Sequence, residues 1–452
     1  MNHTPSTPHH SVIIVGGGQA GISLSHYLKQ RGIDHLVLEK HQAMHSWRTQ
    51  RWDHFCLVTP NWQCKLPGHE YSGDDPHGFM KKDQINDYLA SFFEAVNPPI
   101  REGVTVRQAT PLPQGGFEVL ASAAGESLRY TADQVVVASG GYHQPIIPRL
   151  AERLPSHVVQ LHSEQYRNPQ SLPEGGVLVV GSGQSGSQIA EDLHLAGKQV
   201  HLAVGDAPRC ARFYRGRDVV DWLADMNYYD MPVHQHPLRE GVRDNTNHYV
   251  TGRDGGRDID LRAFAQQGMK LYGLLQGLQE GQLQFAPGLT QALDHADQIY
   301  NGINAAIDKH IAAQGIEAPP PSVYEPEWTP EQEVSALDIA QAGITSVVWC
   351  IGFQPDFHWL DAPVFNGRGQ PVHQRGVTQQ SGLYFLGLPW QYTWGSGRFS
   401  GVARDALYLA EQIDAALHGQ VSVLGAVGTQ EHPGQASQHD HRHGNAQAEV
   451  ER

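Results

Sequence analysis

The stretch "VLVVGSGQSG", Val177 to Gly186, is an apolar run that breaks into a glycine-rich turn. An earlier stretch, "IIVGGGQAG", Ile13 to Gly21, follows the same plan. In each, three glycines fall in the order G-x-G-x-x-G, directly after a short β-branched strand and directly before a helical pattern. The first glycine permits a tight turn, and the second lets backbone approach a pyrophosphate with no Cβ in the way. The third lets helix and strand pack closely. A diphosphate then rests on unpaired N–H groups at the helix N-terminus. The strands following the two turns are His35–Leu38 and "QVHLAV", Gln199 to Val204. Each copy is therefore a β–turn–α–β unit of nucleotide-binding length. Two of them predict an α/β chain with two Rossmann-like domains.

The two copies differ in what closes the second strand. In the first it is Glu39, whose carboxylate can accept hydrogen bonds from ribose hydroxyls and would repel a 2′-phosphate. Gly16, Gly18, Gln19, Ala20, Gly21 and Glu39 thus read as a site for FAD or NAD. In the second copy the matching place holds Val204, and Arg209, Arg212, Arg215 and Arg217 follow. Arginine suits a 2′-phosphate through charge-assisted, often bidentate bonds. Gly181, Ser182, Gly183, Gln184, Ser185 and Gly186, with Arg209 and Arg212, therefore read as an NADPH site.

The rest of the chain agrees with an enzyme of this kind. Its 452 residues suffice for two or three domains. There are 32 Lys and Arg against 47 Asp and Glu, a net charge of −15 that disfavours nucleic acid and anionic membrane as partners. The N-terminus "MNHTPSTPHH" has no basic residue, and the apolar run after it is a first strand rather than a signal segment. No run approaches the roughly 18 apolar residues of a membrane span, so a cytoplasmic protein is expected. The four cysteines, Cys56, Cys64, Cys210 and Cys350, form no C-x-x-C or zinc-type pair, which argues for free thiols and against dithiol chemistry.

Between the two units, "MKKDQINDYLASFFEAV" (Met80 to Val96) has helical periodicity, and the alternation that follows predicts an antiparallel meander ending in the buried strand Gln134 to Ala138. From about Asp218 to Glu331 the spacing reads as a helical insertion, with "LRAFAQQGMKLYGLLQGLQEG" among its helices. Its place in the chain makes it a candidate for a substrate chamber or a homodimer contact. Strands return at "TSVVWCI" and "GLYFLGL", before a last helix, Gly401 to Leu417. The chain divides as a first FAD part over 1–168, an NADPH part over 169–351 and a second FAD part over 352–418. The polar segment 419–452 has the composition of a disordered tail, and its "HDHRH" is assigned no metal.

Several stretches resemble the flavin-containing monooxygenase group. "HSWRTQRWDHFCLVTPNWQCKLPG" (His45 to Gly68) is similar to the family's Trp-Arg stretch beside the flavin. "VVVASGGYHQPIIP" and "VVWCIGFQPDF" resemble its two interdomain links, and "GLYFLGLPW" resembles its last FAD segment. The resemblance implies cofactor roles for Lys40, Trp47, Arg48, Val106, Ala138, Ser139, Gly140, Ile351, Gly352, Phe353 and Gly387. It implies a helix after the last segment whose positive end faces the flavin, and Asn61 as a catalytic amide near the flavin edge. Trp390 and Trp394 are candidate pocket walls. The fingerprint F-x-G-x-x-x-H-x-x-x-(Y/W) is half present: His162 and Tyr166 are in place, while Ser156 and Val158 stand for Phe and Gly. Tyr166 points to the heteroatom-oxidising branch rather than the Baeyer–Villiger one. "DGGRDIDLR" looks like the bacterial stand-alone members found beside nitrilase genes. The implied activity is NADPH- and O2-dependent oxygenation of a small soft nucleophile through a flavin C4a-(hydro)peroxide. A flavin reductase serving a partner and a Baeyer–Villiger enzyme stay open as alternatives.

Overall fold

A computed structural model describes residues 7–419. The "HDHRH" segment and the rest of the expected tail beyond residue 419 lie outside the described residues.

The chain opens as the pattern requires. Strand β1 (His9–Val15) leads through the first glycine turn into helix α1 (Gln19–Gln30), and β2 (His35–Leu38) pairs parallel to β1. Val12, Ile13 and Ile14 are fully buried; Ile22, Leu24 and Leu28 of α1 pack with Val12 and Ile14, while Ile13 faces the other side of the sheet. Each such side chain contributes about 1.5–3 kcal/mol by leaving water. A short helix α2 (His45–Thr49) and the amphipathic α3 (Lys82–Val96) follow. The chain then adds β3 (Ile100–Arg101), β4 (Thr105–Pro111), β5 (Phe117–Ala123) and β6 (Glu126–Val137), giving the sheet order β3-β2-β1-β6-β5-β4.

Strand β6 is paired on both edges. Its first half pairs antiparallel with β5 in the meander, and its second half lies parallel to β1 on the other side. After β6 the chain crosses over through β7 (Gln144–Pro145) into the second unit. There β8 (Val159–His162), β9 (Gly176–Val180), α4 (Gln184–Leu195) and β10 (Val200–Ala203) repeat the first plan.

The stretch Asp218–Glu331 is less helical than its spacing predicts. Helices α5 (Val219–Asp225) and α6 (Leu261–Gln266) form. The rest of "LRAFAQQGMKLYGLLQGLQEG" becomes strands β11 (Lys270–Tyr272) and β12 (Leu275–Gln279), which is followed by β13 (Gln282–Phe285). Glycine decides this. Gly268 and Gly281 take φ of +108° and +79°, and a Cβ on Gly273 would meet the Ala286 carbonyl oxygen at 2.1 Å. A helix through these positions is therefore cut. The long α7 (Leu289–Gln314) is the one extended helix of the region, and β14 (Ala336–Asp338) completes a three-stranded antiparallel sheet with β12 and β13.

Strand β15 (Ile344–Trp349) enters the centre of the second parallel sheet, whose order is β8-β15-β9-β10-β11. The chain crosses back through β16 (Phe353–Gln354), which pairs antiparallel with β7, so the two connections lie side by side. Finally β17 (Leu383–Phe385) pairs parallel to the second half of β6, and α8 (Val402–Leu417) packs on α1. The second parallel sheet is thus contained within a first one that closes last. Among the described residues no helix is long and apolar enough to cross a membrane.

Candidate functional site

The glycines of the two turns divide into two kinds. Gly16 and Gly181 have φ of +116° and +100°, and a Cβ on them would lie 2.5 Å from the Ala138 carbonyl oxygen and 2.6 Å from that of Cys350. Gly21 and Gly186 press on the turn itself: a Cβ would fall 2.0 and 1.8 Å from the carbonyl oxygens of Gly16 and Gly181. The middle glycines are open. Nothing lies within 4 Å of a Cβ on Gly18, and only the Thr246 methyl, at 3.6 Å, approaches one on Gly183. No side chain caps α1 or α4, whereas Asp218 and Asp260 cap α5 and α6. The N-termini of α1 and α4 thus offer bare N–H groups above an open cradle, the requirement of a bound diphosphate.

Around the first turn most of the expected residues converge. Glu39 is half-buried; its Oε2 accepts from the Gly17 N–H and its Oε1 from the His41 N–H, both at 2.7 Å. The carboxylate is thereby fixed at the strand end with lone pairs left for a ribose. The exposed Lys40 adjoins it, and the Gly103 N–H donates to the His41 carbonyl, which brings the start of β4 and Val106 alongside. Gln19 bridges two segments: its Oε1 accepts from Trp47 Nε1 at 3.1 Å and its Nε2 donates to the Gly397 carbonyl at 3.0 Å. Gly387 lies against Ala20, where a Cβ would meet the Ala20 methyl at 2.8 Å. Arg48 is exposed, with no side-chain partner among the described residues. The Ser139 hydroxyl, beside Gly16, is buried without a partner. An orphaned hydroxyl next to an open, uncapped cradle fits a bound flavin dinucleotide.

The second turn has the cradle but not the arginines expected of it. Ser182 is buried, its Oγ accepting from the Gly205 N–H at 3.0 Å, while Ser185 is exposed on the first turn of α4. Gln184 donates to the Val250 carbonyl at 2.7 Å, tying segment 246–250 over the turn. Arg209 is buried between Asp297, at 2.9 Å, and Asp260, at 3.6 Å, and stacks on Tyr300 and Tyr324. Burial would pull its pKa down, but the two carboxylates hold it above the ordinary value. Arg212 is buried against Asp218 and donates to the Val58 carbonyl. Arg215 and Arg217 pair with Asp308 and Asp225. Arg209 and Arg212, expected to face a 2′-phosphate, are both placed in the interior with their charges matched by aspartates.

Asn61 is also bonded within the protein. It is buried, its Oδ1 accepting from the Met80 N–H at 2.7 Å and its Nδ2 donating to the Asp75 carbonyl at 2.9 Å. These bonds make it a brace for the loop it holds. Trp390 is buried and Trp394 half-buried, both beside Tyr228 and Tyr229.

The two fingerprint residues turn out to clamp the crossover. His162 Nε2 bonds the Gly352 carbonyl at 3.0 Å, and its ring meets Phe353 edge-on. Gly352, with φ of +90°, also accepts from the Ile146 N–H, while Ile351 packs on the core of the second unit. Tyr166 is fully buried and donates to Asp192 Oδ2 at 2.7 Å; burial and that carboxylate push its pKa well up. Asp192, on α4, also takes Arg253 at 2.6 Å and His54 at 2.8 Å. One buried carboxylate thus joins three segments from both units. Sequence reasoning missed Asp192, Gly397 and Phe399; the glycines of "GSGRFSG" (Gly395 to Gly401) were the one visible signal for the last two. All four cysteines are free, with burial raising Cys56 to about 11 and Cys64 and Cys210 to about 12. Such thiols carry no dithiol chemistry at neutral pH.

Comparison with known proteins agrees with this geometry. Residues 13–226 match the family model of pyridine nucleotide-disulphide oxidoreductases. An uncharacterised CzcO-like oxidoreductase of Geobacillus kaustophilus is 31% identical over 410 residues, which are 89% of this chain and 97% of that one. The rice indole-3-pyruvate monooxygenase YUCCA4 is 30% identical over 209 residues, 43% of this chain and 47% of that one. In three dimensions a mutant flavin monooxygenase from Stenotrophomonas maltophilia superposes with a TM-score of 0.62 at 17% identity, covering 91% of this chain and all of that one. The chain belongs to the CzcO-like oxidoreductases and has the FAD- and nucleotide-binding fold of the flavoprotein monooxygenases.

Proposed function

We propose that this CzcO-like oxidoreductase holds FAD on the Gly16–Gly21 turn, takes hydride from a nicotinamide dinucleotide on the Gly181–Gly186 turn, and oxygenates a small soft nucleophile with O2. The observation that carries the reading is the pair of open, uncapped glycine cradles, one per nucleotide-binding unit, joined by two links paired side by side. The similarity to a plant monooxygenase over 209 residues supports the oxygenase branch.

When bound, FAD supplies hydride acceptance and oxygen activation. The chain supplies position. Bare N–H groups of α1 and the fixed Glu39 carboxylate would hold the two ends of the adenosine diphosphate half. Ser139 Oγ would donate toward the flavin side of the first link. Trp47, tilted against Phe399 with ring centroids 4.9 Å apart and pinned by Gln19, would wall the site and exclude water. The uncapped N-terminus of α8 places positive potential on the same side. On this reading no strong acid–base pair of the chain is required. NADPH is the donor that the resemblance favours; with the four arginines paired elsewhere, its 2′-phosphate meets no cation from that run.

The test is a screen of nicotinamide oxidation against amines, thiols and small carbonyls, with hydrogen peroxide measured separately. Oxygenated product with suppressed peroxide is expected for at least one class. Peroxide in full yield with every compound would replace the oxygenase by an oxidase or a reductase.

A further inference from the structure

We infer that Arg398 and Arg51 form an anion-recognition site between the two nucleotide-binding units, and that the substrate presents a carboxylate to it with an apolar body against the neighbouring rings. The inference rests on the functional reading above and narrows its substrate class.

Arg398 stands in the turn before α8, half-buried. Its Nη1 donates to the Trp394 carbonyl, its Nη2 donates to Asn247 Oδ1 at 2.9 Å, and its guanidinium lies 4.0 Å over the Trp394 ring. Every one of these partners is neutral. Among the described residues the ionisable groups that act on it are the phenols of Tyr142, Tyr228 and Tyr229, with no carboxylate among them. Arg51 repeats the pattern. It donates to the Gln50 carbonyl at 3.0 Å, lies 4.8 Å over Trp47 and 5.4 Å over Phe55, and has Tyr142 as its one ionisable neighbour. Burial pulls both guanidinium pKa values down. The two cations belong to one packed row: Arg51 covers Trp47, Trp47 lies tilted against Phe399, and Phe399 follows Arg398 in the chain.

Their isolation stands out against the other interior arginines. Arg209, Arg212 and Arg262 each meet an aspartate. A desolvated cation without a counterion is costly, and a protein retains one where a ligand provides the partner. The planar fork suits a carboxylate bidentately. Asn247 belongs to the segment tied over the second turn, so Arg398 faces the gap between the units. Beside it the rings of Tyr229 and Trp394 lie 4.5 Å apart and offer an apolar wall.

A dinucleotide diphosphate is an anion too, and the test separates the two sources. FAD-loaded protein is titrated with phenylacetate and with neutral phenylacetamide by isothermal titration calorimetry. Phenylacetate is expected to bind at least about tenfold tighter than the amide, and more weakly as salt rises. Arg398→Met should weaken phenylacetate by at least about tenfold without weakening the amide, and Arg398→Lys should restore part of the difference. Arg51→Gln gives a second reading should the Arg398→Met protein fail to fold. Equal affinity for acid and amide would overturn the inference, as would failure of phenylacetate, benzoate and hexanoate alike to bind. Loss of FAD or of nicotinamide affinity in Arg398→Met, with phenylacetate binding intact, would also overturn it and give the cations to a cofactor. Calorimetry needs no turnover, so carboxylate binding by a protein that oxygenates nothing would sink the oxygenase reading and leave this one standing.

Discussion

Replacing Gly183 by valine separates nucleotide binding from folding at the second turn. Gly183 has φ of −65° and ψ of −174°, a backbone conformation open to any L residue. A Cβ there meets only the Thr246 methyl, at the ordinary contact distance of 3.6 Å. The folded protein should therefore accept valine with little change in thermal stability. The added methyls would occupy the space above the bare N–H groups of α4, where a diphosphate must come within hydrogen-bond distance. Losing two charge-assisted bonds of about 1.5–3 kcal/mol each implies nicotinamide binding weaker by roughly 100-fold or more. The assay is anaerobic stopped-flow reduction followed at the flavin band, with FAD content measured in the same sample. Expected is a yellow protein that reduces slowly and needs far more nicotinamide. The matched variant Gly18→Val, with nothing within 4 Å of its Cβ, should instead fold and lose FAD. Gly186→Ala is the contrast: its Cβ would sit 1.8 Å from the Gly181 carbonyl oxygen, so it should lower stability by about 1–3 kcal/mol or more through overpacking. A Gly183→Val protein that loses FAD while reducing normally, once reloaded, would show that the two turns have been assigned in reverse.

Further outcomes follow from the same contacts. Arg209→Ala should cost about 1–3 kcal/mol of stability by taking one cation from Asp260 and Asp297, the latter keeping Arg262, yet leave the ratio of kcat/KM for NADPH and NADH unchanged; a large fall in that ratio would return Arg209 to the cofactor site. Tyr166→Phe should remove about 1–2 kcal/mol by taking one donor from buried Asp192, read from urea unfolding, and a neutral result would deny the clamp. His201 is buried with its pKa lowered to about 4, chiefly by desolvation. Unfolded, it takes up a proton near pH 6.5, so the unfolded state binds more protons between pH 6.5 and 4 and stability falls as pH drops through that window. His201→Gln should remove about one proton from the slope of stability against pH there, and an unchanged slope would mean that His201 is protonated in the fold.

The legible parts of the site were those fixed by short stretches of chain. Gly16 to Gly21 and Gly181 to Gly186 could be placed because strand, turn and helix follow one another directly, and Glu39 because it ends the next strand. The helical reading around Met269 failed because apolar spacing of a few residues fits strand and helix equally. There the positive φ of Gly268 and Gly281, and the close approach of Gly273 to Ala286, decided for strands. The bonding of Asn61 was illegible for a different reason: an amide's role depends on what meets its donors and its oxygen, and Asp75 and Met80 were not visible as those partners.

By itself the sequence determined that this chain would carry two nucleotide cradles and which strand end would bear a carboxylate. Those are properties of bonded neighbours and of glycine's missing Cβ. Only the tertiary structure decided which charges remain for a ligand. Arg209 and Arg212 looked free in the sequence and are matched by Asp260, Asp297 and Asp218, while Arg398 looked ordinary and is left among neutral partners. The physical reason is that a charge is satisfied or free according to what lies within a few ångströms of it after folding. Arg209 finds Asp297 far along the chain, and no local pattern records that meeting.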